Sequence, residues 1–315
     1  MTAPDISRQT ADLPLAGRER HLFGVLLILG ATIMWSTAGF FVRALDMDTW
    51  SIVAWRSLFA SLSLAVLIFT LQGRAALRFR RSIGPGGAAA IPVMAMSMFS
   101  YVAALNMTSV ANVMVIYATV PFLATGLAFL LLRERPTARA LAASTLAFLG
   151  VAIMAASETG TSDLTGNGFA FLMTLGFAAS VVIARRWPDY DAMSVTGIAS
   201  AICALACFTV IWAGSLPASV PHLWQIGILF LFSLATQSLS FLFFLIGSRH
   251  VPSSEAGLIA LLDVILGPLW VWLVFSEQPE TPALIGGALV LLAVIAYLAV
   301  PGRRRRSLSG KAEKA

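Results

Sequence analysis

Ten times along the chain an apolar run of about twenty residues gives way to a short polar or proline-containing connection, and a helix of roughly that length crosses a hydrocarbon core about 30 Å thick. The runs are Leu22–Phe41, Trp50–Leu71, Gly87–Leu105, Ser109–Leu132, Ala138–Ala156, Gly166–Ala184, Ala192–Ala213, Leu223–Ile246, Ser253–Phe275 and Pro282–Val300. In lipid every backbone N–H and C=O must be satisfied within the protein, which leaves helices and closed barrels, and runs this long are not barrel strands. Composition agrees, with 58% hydrophobic and 11% charged residues and a mean hydropathy of +0.86, a balance foreign to a water-soluble domain. The sequence predicts an all-α integral membrane protein of ten transmembrane helices. Its connections are too short to hold a soluble catalytic or regulatory domain. The first run is too long for a signal-peptide core, so Leu22–Phe41 is expected to stay as a helix.

Charge assigns an orientation. With residues 1–21 as a cytoplasmic segment, 19 of the 21 Lys and Arg fall inside, Arg43 stands outside, and Arg56 lies within a helix. Short loops rich in Lys and Arg stay cytoplasmic, so both termini are expected there. Anionic lipid is a sufficient partner for the net charge of +6, and nucleic acid is not called for. The run Arg303–Arg306 reads as a stop-transfer flank within a basic cytoplasmic tail, 301–315. Cys203 and Cys207, four apart on one helix, read as small packing residues.

Sliding the chain by 143 residues sets Glu134 on Glu277, Pro136 on Pro279, Leu146 on Leu289 and Val151 on Val294. Segments 22–156 and 166–300 are thereby read as two five-helix repeats. Five is odd, so the second repeat enters the membrane from the opposite side. Inverted repeats of this kind supply two related states, each open to one face, with a substrate site near the midplane.

Trp35-Ser36 ends the first run, Arg56 to Ala60 forms an Arg-x-x-x-Ala in the second, and Pro121 leads through the fourth to Leu132-Arg133-Glu134-Arg135-Pro136-Thr137. Asp263-Val264-Ile265 in the ninth precedes Ser276-Glu277. In order and spacing these motifs resemble the EamA type of the drug/metabolite transporter (DMT) superfamily, over roughly residues 22 to 300. The resemblance implies export of small metabolites, amino acids prominently. The chain departs from the family pattern at Arg133 and Ser276, where glycine is usual, and at Val264, where the family has proline. Pro268 stands one turn further on, which moves the expected kink of the ninth helix past Asp263.

The polar residues within the spans are the candidate substrate site. Asp263 lies about 15 Å from Ser253 at 1.5 Å per residue, close to the midplane, where an ionised carboxylate is costly unless it faces a cavity or a partner. Arg56, about 9 Å in, has three readings: snorkelling to headgroups, pairing with Asp263, or contact with substrate. Asn112 and Thr119, seven apart, are expected on one face of the fourth helix, and Gln237 with Ser240 forms a polar notch on the eighth. Tyr101, Trp35 and Trp270 offer stacking surfaces, with helix packing as the plainer reading. Glu255 reads as a carboxylate at a helix start, and Glu134 and Glu277 as interface or hinge-fixing residues.

Function classes narrow accordingly. There is no HExxH or GxSxG motif, no metal cluster, cofactor motif or nucleotide-binding loop, and His21, His222 and His250 all lie near span ends. An enzyme, a channel and a receptor therefore fit less well than a multi-pass transporter of the inner or plasma membrane, with a small-molecule substrate. One acid and one base suit a zwitterion or an uncharged amphiphile better than a phosphorylated cargo. Proton coupling through Asp263 and uncoupled facilitation are both open on the sequence.

Overall fold

A computed structural model describes residues 17–73, 79–134, 136–156, 161–214, 220–251 and 253–299. Arg303–Arg306 and the rest of the basic tail, and most of segment 1–21, lie outside them. Among the described residues there is no strand. The first half runs α1 (Gly17–Ser36), α2 (Ala38–Leu45), α3 (Thr49–Gln72), α4 (Phe79–Met107), α5 (Val110–Tyr117), α6 (Val120–Leu132) and α7 (Ala138–Ala156). The second half runs α8 (Thr161–Arg186), α9 (Ala192–Trp212), α10 (Leu223–Ser233), a π-helical turn at Leu234–Leu239, α11 (Ser240–Gly247), α12 (Ser253–Ala260), α13 (Leu262–Phe275) and α14 (Thr281–Ala299).

Seven of these helical stretches are long and apolar enough to cross a membrane, and eight if the bent pair α5–α6 is one span. Two shorter apolar helices, Ala140–Met154 and Thr281–Tyr297, lie at the end of each half. The distribution of side chains is that of a protein in lipid: Leu130, Leu205 and Leu273 are exposed on outer faces, while Arg56, Asp263, Thr236 and Ser240 are buried. A multi-pass membrane protein follows from this inside-polar, outside-apolar pattern.

The halves interlock. α4 packs along α8, α3 along α9, α11 against α1, and α7 along α14, and every one of these pairs joins a first-half helix to a second-half helix. At the α7–α14 crossing the backbones nearly touch. A Cβ on Gly150 would come within 2.6 Å of the Gly286 carbonyl oxygen, and a Cβ on Gly286 would collide with that of Gly150. Small residues permit such approach between helices in lipid, where packing and not water exclusion drives association.

Helix interruptions recur at matched places. The fourth span breaks at Ala118–Thr119 with a bend of 40° between α5 and α6. Pro121 explains the break, because it lacks the N–H that Tyr117 O would accept and its ring crowds that carbonyl. The break corrects the expectation of one face shared by Asn112 and Thr119: the helix carrying Asn112 ends at Tyr117, and the Thr119 hydroxyl turns back to donate to Ile116 O at 2.6 Å. The ninth apolar run has a one-residue turn at Leu261, itself in helical conformation (φ −64°, ψ −19°), 143 residues after Ala118 and two residues before Asp263, within a stretch, Glu255–Phe275, that is continuous enough to be one span. Pro268, where the kink is expected, lies inside α13, which continues through it to Phe275. The preceding residue is Gly267, which has no Cβ to clash with the proline ring, so the helical conformation is tolerated.

Arg133 and Ser276, standing where the resembled family has glycine, cap α6 and α13 in the left-handed region, each with φ 57°. For a residue with a Cβ that conformation costs roughly 1–2 kcal/mol, which glycine avoids. Ser276→Gly is therefore expected to stabilise the protein by about 1 kcal/mol, read as a thermal unfolding midpoint a few degrees higher in detergent. Gly286→Leu, forcing a side chain into the α7–α14 crossing, is expected to lower the same midpoint.

Candidate functional site

Two broken or distorted spans deliver the buried polar groups to the interior. Helix α3 carries Arg56, 3% exposed, so the guanidinium does not snorkel to the headgroups. Its Nη2 donates to Gln237 Oε1 at 2.9 Å and to Thr236 Oγ1 at 3.3 Å. The guanidinium carbon sits 4.6 Å from the centroid of the Phe232 ring, a cation–π contact. The Arg56 carbonyl accepts from Ser233 Oγ at 2.7 Å, and further along α3 Ser63 and Ser238 share a hydrogen bond of 2.6 Å. All five second-half partners lie in or beside the π-helical turn Leu234–Leu239. Such turns are rare and recur at functional sites. Arg56 is not saturated: its Nε is buried with no hydrogen-bond partner.

Asp263 is the second residue of α13, immediately after the interruption at Leu261, and is 6% exposed. It follows a turn whose backbone stays bonded, Leu261 N donating to Gly257 O at 3.2 Å and Val264 N to Leu261 O at 3.1 Å. Yet Oδ1 is buried without a hydrogen-bond partner. Arg56 and Asp263 do not form an ion pair. Tyr101 on α4 lies within electrostatic reach of both, and Tyr117, at the end of α5, within reach of Asp263. The centre therefore holds a cation and an acid, both within electrostatic reach of one aromatic hydroxyl and each with a buried polar atom that lacks a hydrogen-bond partner. Ser100 and Ser240 add two further buried hydroxyls whose oxygens have no partner.

The other sequence candidates are dispersed. Trp270 Nε1 donates to Ser36 Oγ at 2.8 Å, tying α13 to the end of α1. Trp35 packs on Phe244 with centroids 5.3 Å apart, a contact between α1 and α11. Asn112, at the start of α5, donates from Nδ2 to Thr108 Oγ1 at 3.3 Å, next to the Ser109 cap. Thr119 occupies the break in the fourth span. Glu255 accepts from or pairs with His21 Nε2 at 3.0 Å, joining the starts of α12 and α1. Cys203 and Cys207 are free and buried.

One polar contact between the halves was not legible in advance. Glu277, just beyond α13, meets Arg43 of α2 through two hydrogen bonds, Nε to Oε2 at 2.7 Å and Nη2 to Oε1 at 3.2 Å. The same guanidinium donates to Leu105 O at 2.6 Å and Thr108 O at 3.0 Å, while Val110 N donates to Glu277 Oε1 at 3.4 Å. Arg43 is the one Lys or Arg that the charge pattern leaves outside, and that exception was the available signal.

Residues 22–156 and 164–299 each match the EamA-like transporter family. A solved structure described as "Crystal structure of protein" superposes with a TM-score of 0.62 at 16% identity, over 87% of this chain and 96% of its own, and shows a common fold. No curated protein matches.

Gln237→Leu leaves the buried Arg56 with one acceptor fewer, a loss of roughly 1.5–3 kcal/mol for a hydrogen bond to a charged group. A drop of several degrees in thermal midpoint is expected. Ser240→Ala, which removes a hydroxyl that has no partner, should leave the midpoint unchanged.

Proposed function

The chain belongs to the EamA-like transporter family, within the DMT superfamily, and from that footing we propose that it is a secondary-active exporter of a small zwitterionic or amphiphilic metabolite, such as an amino acid. Ten spans, arranged as inverted halves with both termini cytoplasmic, would rock about the centre and open it to one face and then the other. The protein works in the inner or plasma membrane and is a carrier, not an enzyme.

The observation that carries this reading is the unpartnered Asp263 carboxylate at the interruption of the ninth span. An unpaired charge in a low-dielectric interior costs several kcal/mol. The group is satisfied when a proton neutralises it or when a cationic substrate group arrives beside it. Turns at corresponding positions of the two repeats support a central site, because carriers built of inverted repeats form their sites at interrupted helices near the midplane. Arg56 is held by Gln237 and Thr236, with Nε spare for a carboxylate, and Tyr101 lies within electrostatic reach of both charges. That arrangement suits an ammonium at Asp263 and a carboxylate at Arg56. The cycle consists of binding, reorientation and release, with a proton taken up by Asp263 when the substrate leaves.

Counterflow of radiolabelled amino acids and amphiphiles into sealed proteoliposomes, at two pH values, tests the reading. Accumulation driven by a pH gradient is expected in the native protein. Asp263→Asn should keep exchange of bound substrate but lose the response to the gradient. Gradient-driven accumulation that persists unchanged in Asp263→Asn removes the acid from coupling, and binding without vectorial movement removes transport altogether.

A further inference from the structure

The ion pair at one end of the protein has a counterpart at the other. The two family-matched segments start 142 residues apart and end 143 apart. That offset carries Arg43 onto Arg185 or Arg186, and Glu134 onto Glu277. Glu277 of the second half meets Arg43 of the first at 2.7 Å. Glu134 of the first half faces Arg185 of the second at 4.0 Å. Each pair joins the residue ending the fourth helix of one repeat to the residue ending the first helix of the other. Arg186 is engaged elsewhere, over the Trp187 ring at 5.4 Å, which leaves Arg185 as the partner that reaches Glu134.

The two pairs lie at opposite ends of the molecule. The fourth span starts at Val110, whose N–H meets Glu277, and ends at Leu132, beside Glu134. Those 23 residues correspond to about 34 Å along a helix at 1.5 Å per residue. Their states differ in a consistent way. The Arg43–Glu277 pair is bidentate, is backed by Leu105 O, Thr108 O and Val110 N, and has side chains 22% and 29% exposed. The Arg185–Glu134 pair is a single contact at the distance limit, with side chains 59% and 57% exposed.

We infer that Arg43–Glu277 and Arg185–Glu134 are alternating latches, the first locking one face of the protein and the second, once drawn in, locking the other. The inverted relation of the repeats supplies the reason. Exchanging the conformations of the two halves exchanges the environments of equivalent residues. A state in which Glu134 gains the bidentate, backbone-supported partner is therefore the same state in which Glu277 loses it. The structure is the form locked at the Glu277 end. The Lys and Arg distribution puts that end outside, so the looser Glu134 end is the cytoplasmic one. The caps Arg133 and Ser276, both left-handed, turn the chain sharply at the end of each helix and present the following glutamate to the opposite half.

This inference rests on the alternating-access reading, and distance measurements without substrate separate the two. In a Cys203→Ser, Cys207→Ser background, spin labels at Asp46→Cys and Gln278→Cys report the Glu277 end, and labels at Leu131→Cys and Asp189→Cys report the Glu134 end. Glu277→Gln should lengthen distances at its own end and shorten them at the Glu134 end. Glu134→Gln should leave the Glu277 end short and remove any minor population that is compact at the Glu134 end. Because the second variant tests an exposed residue, it carries the inference even where Glu277→Gln does not fold. Opening at the Glu277 end with no change at the other makes Glu277 a local clasp and overturns the inference. Exchange between two distance populations that neither variant perturbs overturns the latches but keeps alternating access. Fixed distances at both ends in every variant contradict alternating access itself.

Discussion

A charged side chain inside about 30 Å of hydrocarbon survives only where protein groups or water replace the hydrogen bonds it gave up, and the interior of this protein is organised by how that demand is met. Arg56 is met by the π-helical turn of the eighth span and the face of Phe232. Thr236 and Gln237, neighbours within that π-helical turn, both accept from one guanidinium nitrogen. Asp263 is met only in part, since one oxygen has no donor. The unequal treatment of these two groups defines the centre: the cation is anchored and the acid is left free to respond.

The backbone follows the same logic. At the turns of Ala118–Thr119 and Leu261 the N–H groups find carbonyls within the same run, Ala118 to Met114, Thr119 to Ile116, Leu261 to Gly257 and Val264 to Leu261, as a backbone in lipid must. Inversion then has a physical consequence. One repeat's broken helix is packed against the other's first helix at both ends of the molecule, and the two junctions differ in tightness, not in composition. Both junctions are thus made of the same residue types, an arginine and a glutamate in matching register.

Much of this was legible in the sequence because lipid simplifies the code. Apolar runs gave the helices, the 143-residue echo of Glu134 in Glu277 gave the two halves, and the EamA-type motifs were matched by both family segments. Sequence alone could not see the π-helical turn in LATQSL, since its residues fit an ordinary α-helix and the distortion answers to Arg56 on another span. Proline is the usual breaker, yet α13 continues through Pro268, while the turn that separates α12 from α13 falls at Leu261, where no proline stands. Polarity and aromaticity are visible in a sequence while partners are not: the contacts of Asn112 with Thr108, Trp35 with Phe244 and Trp270 with Ser36 appear only in the structure.

The central claim is that one interior site at the break of the ninth span is reached in turn from both faces of the membrane. Leu261→Cys, at that break, can be exposed to a membrane-impermeant thiol reagent in sealed vesicles of each orientation, with Cys203 and Cys207 replaced by serine. The account predicts labelling from both sides, with substrate slowing the two reactions together. Labelling confined to one side, with or without substrate, would contradict it.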